Sequence, residues 1–213
     1  MPSTSDVRPY DFAKRMGDAL AASLGLLLLS PVLAVTAILV ATKLGRPVIF
    51  KQDRPGRGGR IFRLYKFRTM RNIDPAKRLV DDAQRLTSFG RALRASSLDE
   101  LPTLLNVAKG DMSVVGPRPL LVQYLGRYSA RQARRHEVRP GITGLAQVSG
   151  RNSLSWPEKF EFDVDYVERR SFELDARILV RTVSSVLKRD GISADAHVTM
   201  SEFFGDHAEG EFN

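Results

Sequence analysis

The chain has 213 residues, enough to bury one sizeable core, and a formal net charge of +9. Such a balance suits anionic partners: acidic lipid head groups, nucleotide phosphates or nucleic acid. With no cysteine it excludes disulfides and thiolate metal sites, and its three histidines (His136, His197 and His207) lack metal-ligand spacing.

Residues 1–45 read as an N-terminal membrane region. Ala19 to Thr42 is almost wholly apolar and about 24 residues long, enough to cross a bilayer as a straight helix. It is too long for a cleavable signal peptide, and no small-residue cleavage site follows. Arg8, Lys14 and Arg15 precede the segment, and Lys43, Arg46, Lys51 and Arg54 follow it, so both ends favour the cytoplasmic side. Pro31, near the middle, removes one backbone donor and frees the Leu27 carbonyl, while Ser30 can bond back to the Leu26 carbonyl. A helix broken at Ser30-Pro31 that enters and leaves by one face satisfies both features; a kinked spanning helix is the alternative. By spacing, Asp18 can pair with Lys14 or Arg15.

Residues 46–200 are expected to form the domain proper. Val48-Ile-Phe50 reads as a short strand, Arg54-Pro-Gly-Arg-Gly-Gly-Arg60 as a turn-rich basic loop, and Ile61 to Arg68 as a second strand. A period of two puts Phe62, Leu64, Lys66 and Arg68 on one face. Lys66 and Arg68 then form either a solvated strand end or a contact for phosphate or a membrane surface. Asp74 to Leu93 reads as helical, with a loop near Ser88-Phe-Gly90.

Leu98 to Val107 reads as a helix with Asp99-Glu100 at its start. A helix N-terminus attracts phosphate through unpaired N–H groups and partial positive charge. Carboxylates there repel phosphate unless a divalent cation lies between, or unless one of them attacks the phosphorus. Ordinary capping is the competing reading: Ser97 and Glu100 have capping-box spacing, and Asp99 as N-cap suits Pro102 in the first turn. In Gly116-Pro-Arg-Pro119 both prolines fix φ and lack donors, so the loop either holds Arg118 as a bidentate phosphate ligand or merely connects. Arg139-Pro-Gly-Ile-Thr-Gly144 and Gly150-Arg-Asn152 are similar loops, offering Arg139, Gln147 and Arg151 to a nucleotide diphosphate. Trp156, Phe160, Val164 and Val167 form a packing stripe on a helix over 156–168. Phe172 to Leu187 reads as an amphipathic helix whose Arg177, Arg181, Lys188 and Arg189 can face acidic lipid. Residues 201–213 read as a polar tail, poorly ordered at its end.

In chain order, Lys66-Phe-Arg-Thr-Met70, Ser97-Leu-Asp-Glu-Leu-Pro102, Gly110-Asp-Met-Ser113, Val115-Gly-Pro-Arg-Pro119, Arg139-Pro-Gly-Ile-Thr-Gly144 and Ala146-Gln-Val-Ser-Gly-Arg-Asn152 are distinctive. Together they closely resemble the bacterial sugar transferase family, the monotopic polyprenyl-phosphate phosphoglycosyl transferases, from about Lys14 to about Gly205. Lys14-Arg15 with Asp18, and Ser30-Pro31, resemble that family's N-terminal pattern, in which the Ser-Pro break makes the membrane helix re-entrant. The resemblance implies an α-dominated α+β, membrane-associated domain on the cytoplasmic face of the bacterial inner membrane, with surface amphipathic helices.

It also implies transfer of a sugar 1-phosphate from a UDP-sugar to polyprenyl phosphate, usually undecaprenyl phosphate, releasing UMP in the first membrane step of glycoconjugate assembly. Asp99 and Glu100 fall on the family's catalytic dyad. Asp99 would form a covalent aspartyl phospho-sugar, the pair would hold Mg²⁺ with the diphosphate, and Glu100 would orient the metal or move a proton. Lys66, Arg68, Arg94, Pro117, Arg118, Arg139, Gln147 and Arg151 make up the expected substrate-binding set. The C-terminal Lys188-Arg-Asp-Gly-Ile-Ser193, His197-Val-Thr199 and Phe203-Phe-Gly205 are most similar to the di-N-acetylbacillosamine-type small members, although Leu145 and Ser149 replace the common Trp and Asn. The expected partners are a UDP-sugar, polyprenyl phosphate and inner-membrane lipid, with no nucleic acid; no oligomeric state follows from the sequence. The rival classes are a membrane-anchored nucleic-acid binder, for which the cations are too dispersed and no recognition motif appears, and a scaffold in which the dyad only caps a helix.

Overall fold

The computed structural model describes residues 9–150, 153–188 and 202–205. Its first two helices, α1 (Pro9–Leu28) and α2 (Ser30–Leu44), are bent by 63° at their junction. Pro31 has no N–H for the Leu27 carbonyl, and the Ser30 hydroxyl donates to that oxygen instead, at 2.8 Å. The acceptor is therefore Leu27 and not the expected Leu26, because Leu27 is the carbonyl the proline leaves without a donor. Neither helix alone is long and apolar enough to cross a membrane, though the bent pair is when taken together.

The pair docks by one side only. α1 buries Asp18 and Ala22, and Gly25 lets Leu104 come within 3.4 Å of where a Cβ would stand. α2 buries Val40 and Leu44 against Phe67 and Leu93. Phe12, Leu20, Leu27, Val35 and Ile38 remain exposed. Lys14 and Arg15, read as flanking charges, turn into the domain: Lys14 meets Asp175 at 2.7 Å, and Arg15 donates to the Val107 and Ala108 carbonyls.

Strands β1 (Ile49–Pro55) and β2 (Ile61–Phe67) form an antiparallel hairpin, with Ile49 opposite Phe67 and Pro55 opposite Ile61. Pairing runs beyond the expected Val48–Phe50 and absorbs Arg54-Pro55, since a proline at a strand end interrupts no ladder. The helix expected over 74–93 is two: α3 (Asp82–Arg85) and α4 (Ser88–Ala95). Ser88-Phe-Gly90 is the first turn of α4 and not a loop, because Thr87 caps it by accepting from the Gly90 N–H at 3.1 Å. Gly90 serves close packing instead: a Cβ would stand 1.8 Å from the Thr69 carbonyl oxygen.

The chain turns at Ser97 (φ 56°) into a 3-10 turn, Leu98–Thr103, which runs into α5 (Leu104–Lys109). β3 (Ser113–Val115), α6 (Ala130–Ala133), β4 (Gly141–Thr143), α7 (Leu145–Ser149), α8 (Trp156–Arg169) and α9 (Phe172–Lys188) follow. β3 and β4 pair in parallel. The result is a helix-rich α+β domain with two two-stranded sheets among the described residues. Phe160, Val164 and Val167 of the expected stripe are buried, and Phe160 joins Trp156, Tyr124 and Phe203 in an aromatic cluster. Within the tail segment, Phe203 is thus packed on the domain. Arg151, Arg189 and the motifs over 190–199 lie outside the described residues.

Candidate active site

The dyad's position follows from how α5 meets β2. Asn106, fully buried, accepts from the Tyr65 N–H at 3.1 Å and donates to the Arg63 carbonyl at 2.8 Å. Thr103 donates to the Tyr65 carbonyl at 3.1 Å. These two side chains satisfy the free edge of β2 where a third strand would otherwise pair. They hold the Leu98–Thr103 turn against the strand that carries Lys66, whose Nζ lies 2.5 Å from Glu100 Oε1.

Arg118, on a separate segment, reaches the same oxygen at 3.0 Å. Its loop is stitched to β4: the Gly116 N–H donates to the Thr143 carbonyl and the Gly141 N–H to the Pro117 carbonyl, each at 2.9 Å. A Cβ on Gly116 or Gly141 would stand 2.4 or 2.1 Å from backbone of the other segment, so this approach requires glycine. Arg135, buried and paired with Asp163 at 2.8 Å, donates to the Arg118 carbonyl at 2.7 Å. The backbone under Arg118 is thereby held from two sides.

Neither capping reading holds. Ser97 makes no side-chain cap and adopts the left-handed region, which turns its hydroxyl away from cap geometry. The dyad consequently sits inside a 3-10 turn and not at the N-terminus of an α-helix. Its two carboxylates have opposite surroundings. Burial alone would push Glu100 up, but the charges of Arg118 and Lys66, with their hydrogen bonds, outweigh it and hold Glu100 at about 2. Asp99 is 8% exposed and accepts no hydrogen bond or ion pair among the described residues. Burial, and then the charge of Glu100, push it up to about 6 against the pull of Lys66, Arg94 and Arg118. Two acids driven apart in this way mark a division of roles.

A cleft of about 1760 Å³ opens on the pair, and Lys66, Arg68, Arg94, Arg118 and Gln147 line it. Arg94 donates to Thr69 Oγ1 at 3.0 Å, Arg68 to the Leu44 carbonyl at 3.2 Å, and Gln147 to the Ile142 carbonyl at 2.9 Å. Pro117 serves through its carbonyl in the β3–β4 junction. Arg139 is not brought to the dyad: it donates to the Gly110 carbonyl at 2.9 Å and lines a separate cavity of about 30 Å³ with Arg15 and Asp18.

Three cleft residues escape the sequence reading. Arg54 reaches the Pro119 carbonyl at 3.2 Å, its Nε is buried without a partner, and burial followed by the charge of Arg118 makes its own charge costlier. Arg135 and Asp163 also line the cleft. Asp163 did leave a signal: it falls on the apolar stripe of Phe160, Val164 and Val167, where a carboxylate needs a buried partner.

Among the described residues no three His, Cys, Asp or Glu side chains gather as a metal cage. Mg²⁺ commonly takes one or two carboxylates and completes its shell with water and substrate phosphate. The unpartnered Asp99 beside Glu100 fits that requirement.

Opposed carboxylates in a cation-walled cleft are the equipment of a phosphoryl-transfer enzyme. The chain belongs to the bacterial sugar transferase family, whose model matches residues 9–189. It is 53% identical to the uncharacterized sugar transferase EpsL of Bacillus subtilis, over 90% of this chain and 96% of that protein. It is 42% identical to the UDP-glucose:undecaprenyl-phosphate glucose-1-phosphate transferase of Caulobacter vibrioides, over 84% of this chain and 72% of that one. With the exopolysaccharide production protein ExoY of Rhizobium meliloti it shares 40% identity, over 86% and 89%.

Proposed function

We propose that this enzyme transfers a sugar 1-phosphate from a UDP-sugar to undecaprenyl phosphate, by way of a covalent intermediate on Asp99. The observation that carries the reading is the asymmetry of the dyad: Glu100 is clamped by Lys66 and Arg118, while Asp99 is buried and unpartnered. An Asp99 oxygen attacks the phosphorus bonded to the sugar. The bond from that phosphorus to the bridging oxygen breaks, and UMP departs with the electron pair. A phosphate oxygen of the acceptor then attacks the same phosphorus, and the Asp99 carboxylate leaves, giving polyprenyl-diphospho-sugar. Lys66, Arg94 and Arg118 stabilise the charge that develops on the phosphate oxygens. Mg²⁺ held by Asp99 and Glu100 would neutralise diphosphate charge when bound.

The relatives named for glucose-1-phosphate transfer to undecaprenyl phosphate support the reaction class. The test is purified protein with Mg²⁺, undecaprenyl phosphate and a panel of UDP-sugars, read by UMP release and by mass spectrometry of Asp99. Ping-pong kinetics and a sugar-phosphate adduct on Asp99 are expected. Intersecting-line kinetics with no adduct under trapping conditions would overturn the mechanism. EDTA is expected to abolish UMP release and leave the unfolding temperature nearly unchanged.

The same reading seats α1 and α2 in the bacterial inner membrane as a re-entrant pair, supported by their 63° bend and exposed apolar faces, with the dyad on the cytoplasmic side. A cysteine introduced at Ser3 is expected to resist an impermeant thiol reagent in intact cells, and to become partly labelled when Pro31→Ala straightens the helix.

A further inference from the structure

The cleft around Asp99, at about 1760 Å³, exceeds the roughly 300–1,000 Å³ that encloses one drug-sized ligand. Its lining is of two kinds. One set is cationic and surrounds the dyad. The other is apolar: Leu29 at the bend between α1 and α2, Leu104 of α5, Ile142 of β4, Val148 of α7, and Leu179 and Val183 of α9. This apolar set reaches the surface, beside Thr182 and Ser185 of α9. Leu179 is 40% and Val183 59% exposed, and Leu27 and Leu28, next to Leu29, are exposed as well. A UDP-sugar, polar at both ends, has no use for such a surface, and in water it is a liability.

We propose that this apolar wall seats the isoprenoid chain of the acceptor. Its phosphate lies at Lys66 and Arg118, and its hydrocarbon runs out between the α1–α2 bend and α9. The inference rests on the function proposed above. The occupant is argued from complementarity: a cationic floor continuous with an open apolar exit matches an amphiphile with an anionic head and a long chain. The bend at Leu29 then has a second consequence besides turning the helix. It leaves an apolar residue at the cleft's edge, where a straight helix would continue past it.

α9 supplies an internal control. Val180 is 70% exposed on the same helix but does not line the cleft, whereas Leu179 and Val183 do. In the full-length protein reconstituted in nanodiscs, Leu179→Asp and Val183→Asp are each expected to raise the KM for undecaprenyl phosphate about tenfold, because a carboxylate would be desolvated against the hydrocarbon chain. Val180→Asp is expected to leave that KM unchanged, and all three variants keep the acceptor-independent UMP burst. Equal effects in all three variants, or none in any, would overturn the assignment. A second measurement needs no turnover: undecaprenyl phosphate with a diazirine in its isoprenoid chain is irradiated with the wild-type protein. Label on peptides carrying Leu29, Leu104 or Leu179–Val183 supports the site; label confined to the outer face of α2 overturns it. Loss of the UMP burst in the wild type, with this labelling intact, refutes the proposed chemistry and leaves the acceptor site standing.

Discussion

Two of the buried charge clusters among the described residues, one where α1 meets α9 and one at the dyad, differ in how their carboxylates are supplied with donors. Where α1 meets α9, Asp175 accepts from Lys14 at 2.7 Å, Tyr10 at 2.6 Å and Tyr166 at 2.9 Å. Asp18 accepts from Ser113 at 2.6 Å and lies 3.6 Å from Lys14. Both carboxylates are supplied with donors. At the dyad, Glu100 takes two cations while Asp99 takes none. A fully satisfied polar cluster fixes geometry, here the attachment of α1 to the domain. A carboxylate left without a partner in a buried place is costly to ionise and free to react.

The largest effect is expected at Asp99. Asp99→Asn is expected to lower turnover about a thousandfold or more and to eliminate the adduct. The same change should stabilise the fold at alkaline pH. The folded pKa is about 6 against an ordinary value of 3.8, so the folded state holds its proton more tightly between those values. Stability is accordingly lost as pH rises through that window. Removing the charge is expected to raise stability by about 1–2 kcal/mol at pH 8 in EDTA, read by chemical denaturation. A variant that is less stable there would contradict the cost assigned to Asp99.

The satisfied cluster should respond in the opposite sense. Asp175→Ala leaves Lys14 with Asp18 alone, at 3.6 Å, and takes the acceptor from Tyr10, while Tyr166 keeps the Val115 carbonyl at 3.0 Å; a loss of about 3 kcal/mol is expected. Tyr166→Phe, which removes one donor and leaves the carboxylate with two, is expected to cost about 1–2 kcal/mol. Denaturation curves in one detergent rank the two, and equal losses would mean that the network is not shared through Asp175.

Lys66 is one half of the clamp on Glu100. Lys66→Met removes one of the two cations on Glu100 and is expected to cut turnover about tenfold to a hundredfold, with Lys66→Arg recovering part of it. Unchanged kinetics would mean that Arg118 alone suffices.

The smallest effect lies at His136. Burial, and then the charge of Arg135, push it down to about 4, while its Nδ1 lies 3.2 Å from the Gly56 carbonyl. It is neutral in the fold, so the unfolded chain binds the extra proton between pH 6.5 and 4. Its contribution is complete above 6.5 and is lost as pH falls through that window. In His136→Phe the fall in stability over that range is expected to be shallower by about 1 kcal/mol. An unaltered slope would assign the loss to other groups.

Much of this protein was legible as a linear pattern. The apolar run with Ser30-Pro31, the alternation along Ile61 to Phe67, the stripe of Phe160, Val164 and Val167, and the rigid loop around Arg118 are all local. Each rests on a period or on a residue whose φ or missing donor acts on its own neighbours. What depended on distant partners was not legible. Lys14 and Arg15 look like flanking charges until α9 and the end of α5 supply their acceptors. The Ser97–Glu100 spacing looks like a capping box until Asn106 and Thr103 bind the β2 edge and draw the segment into a 3-10 turn. Arg139 carries the same kind of motif as Arg118, yet the β3–β4 pairing sends them to different cavities. The adjacency of Asp99 and Glu100 and the abundance of cations are properties of the linear chain. Only the tertiary structure decided which carboxylate is clamped and which is free, since a hydrogen bond or charge acts over a few ångströms in space, whatever the separation along the chain.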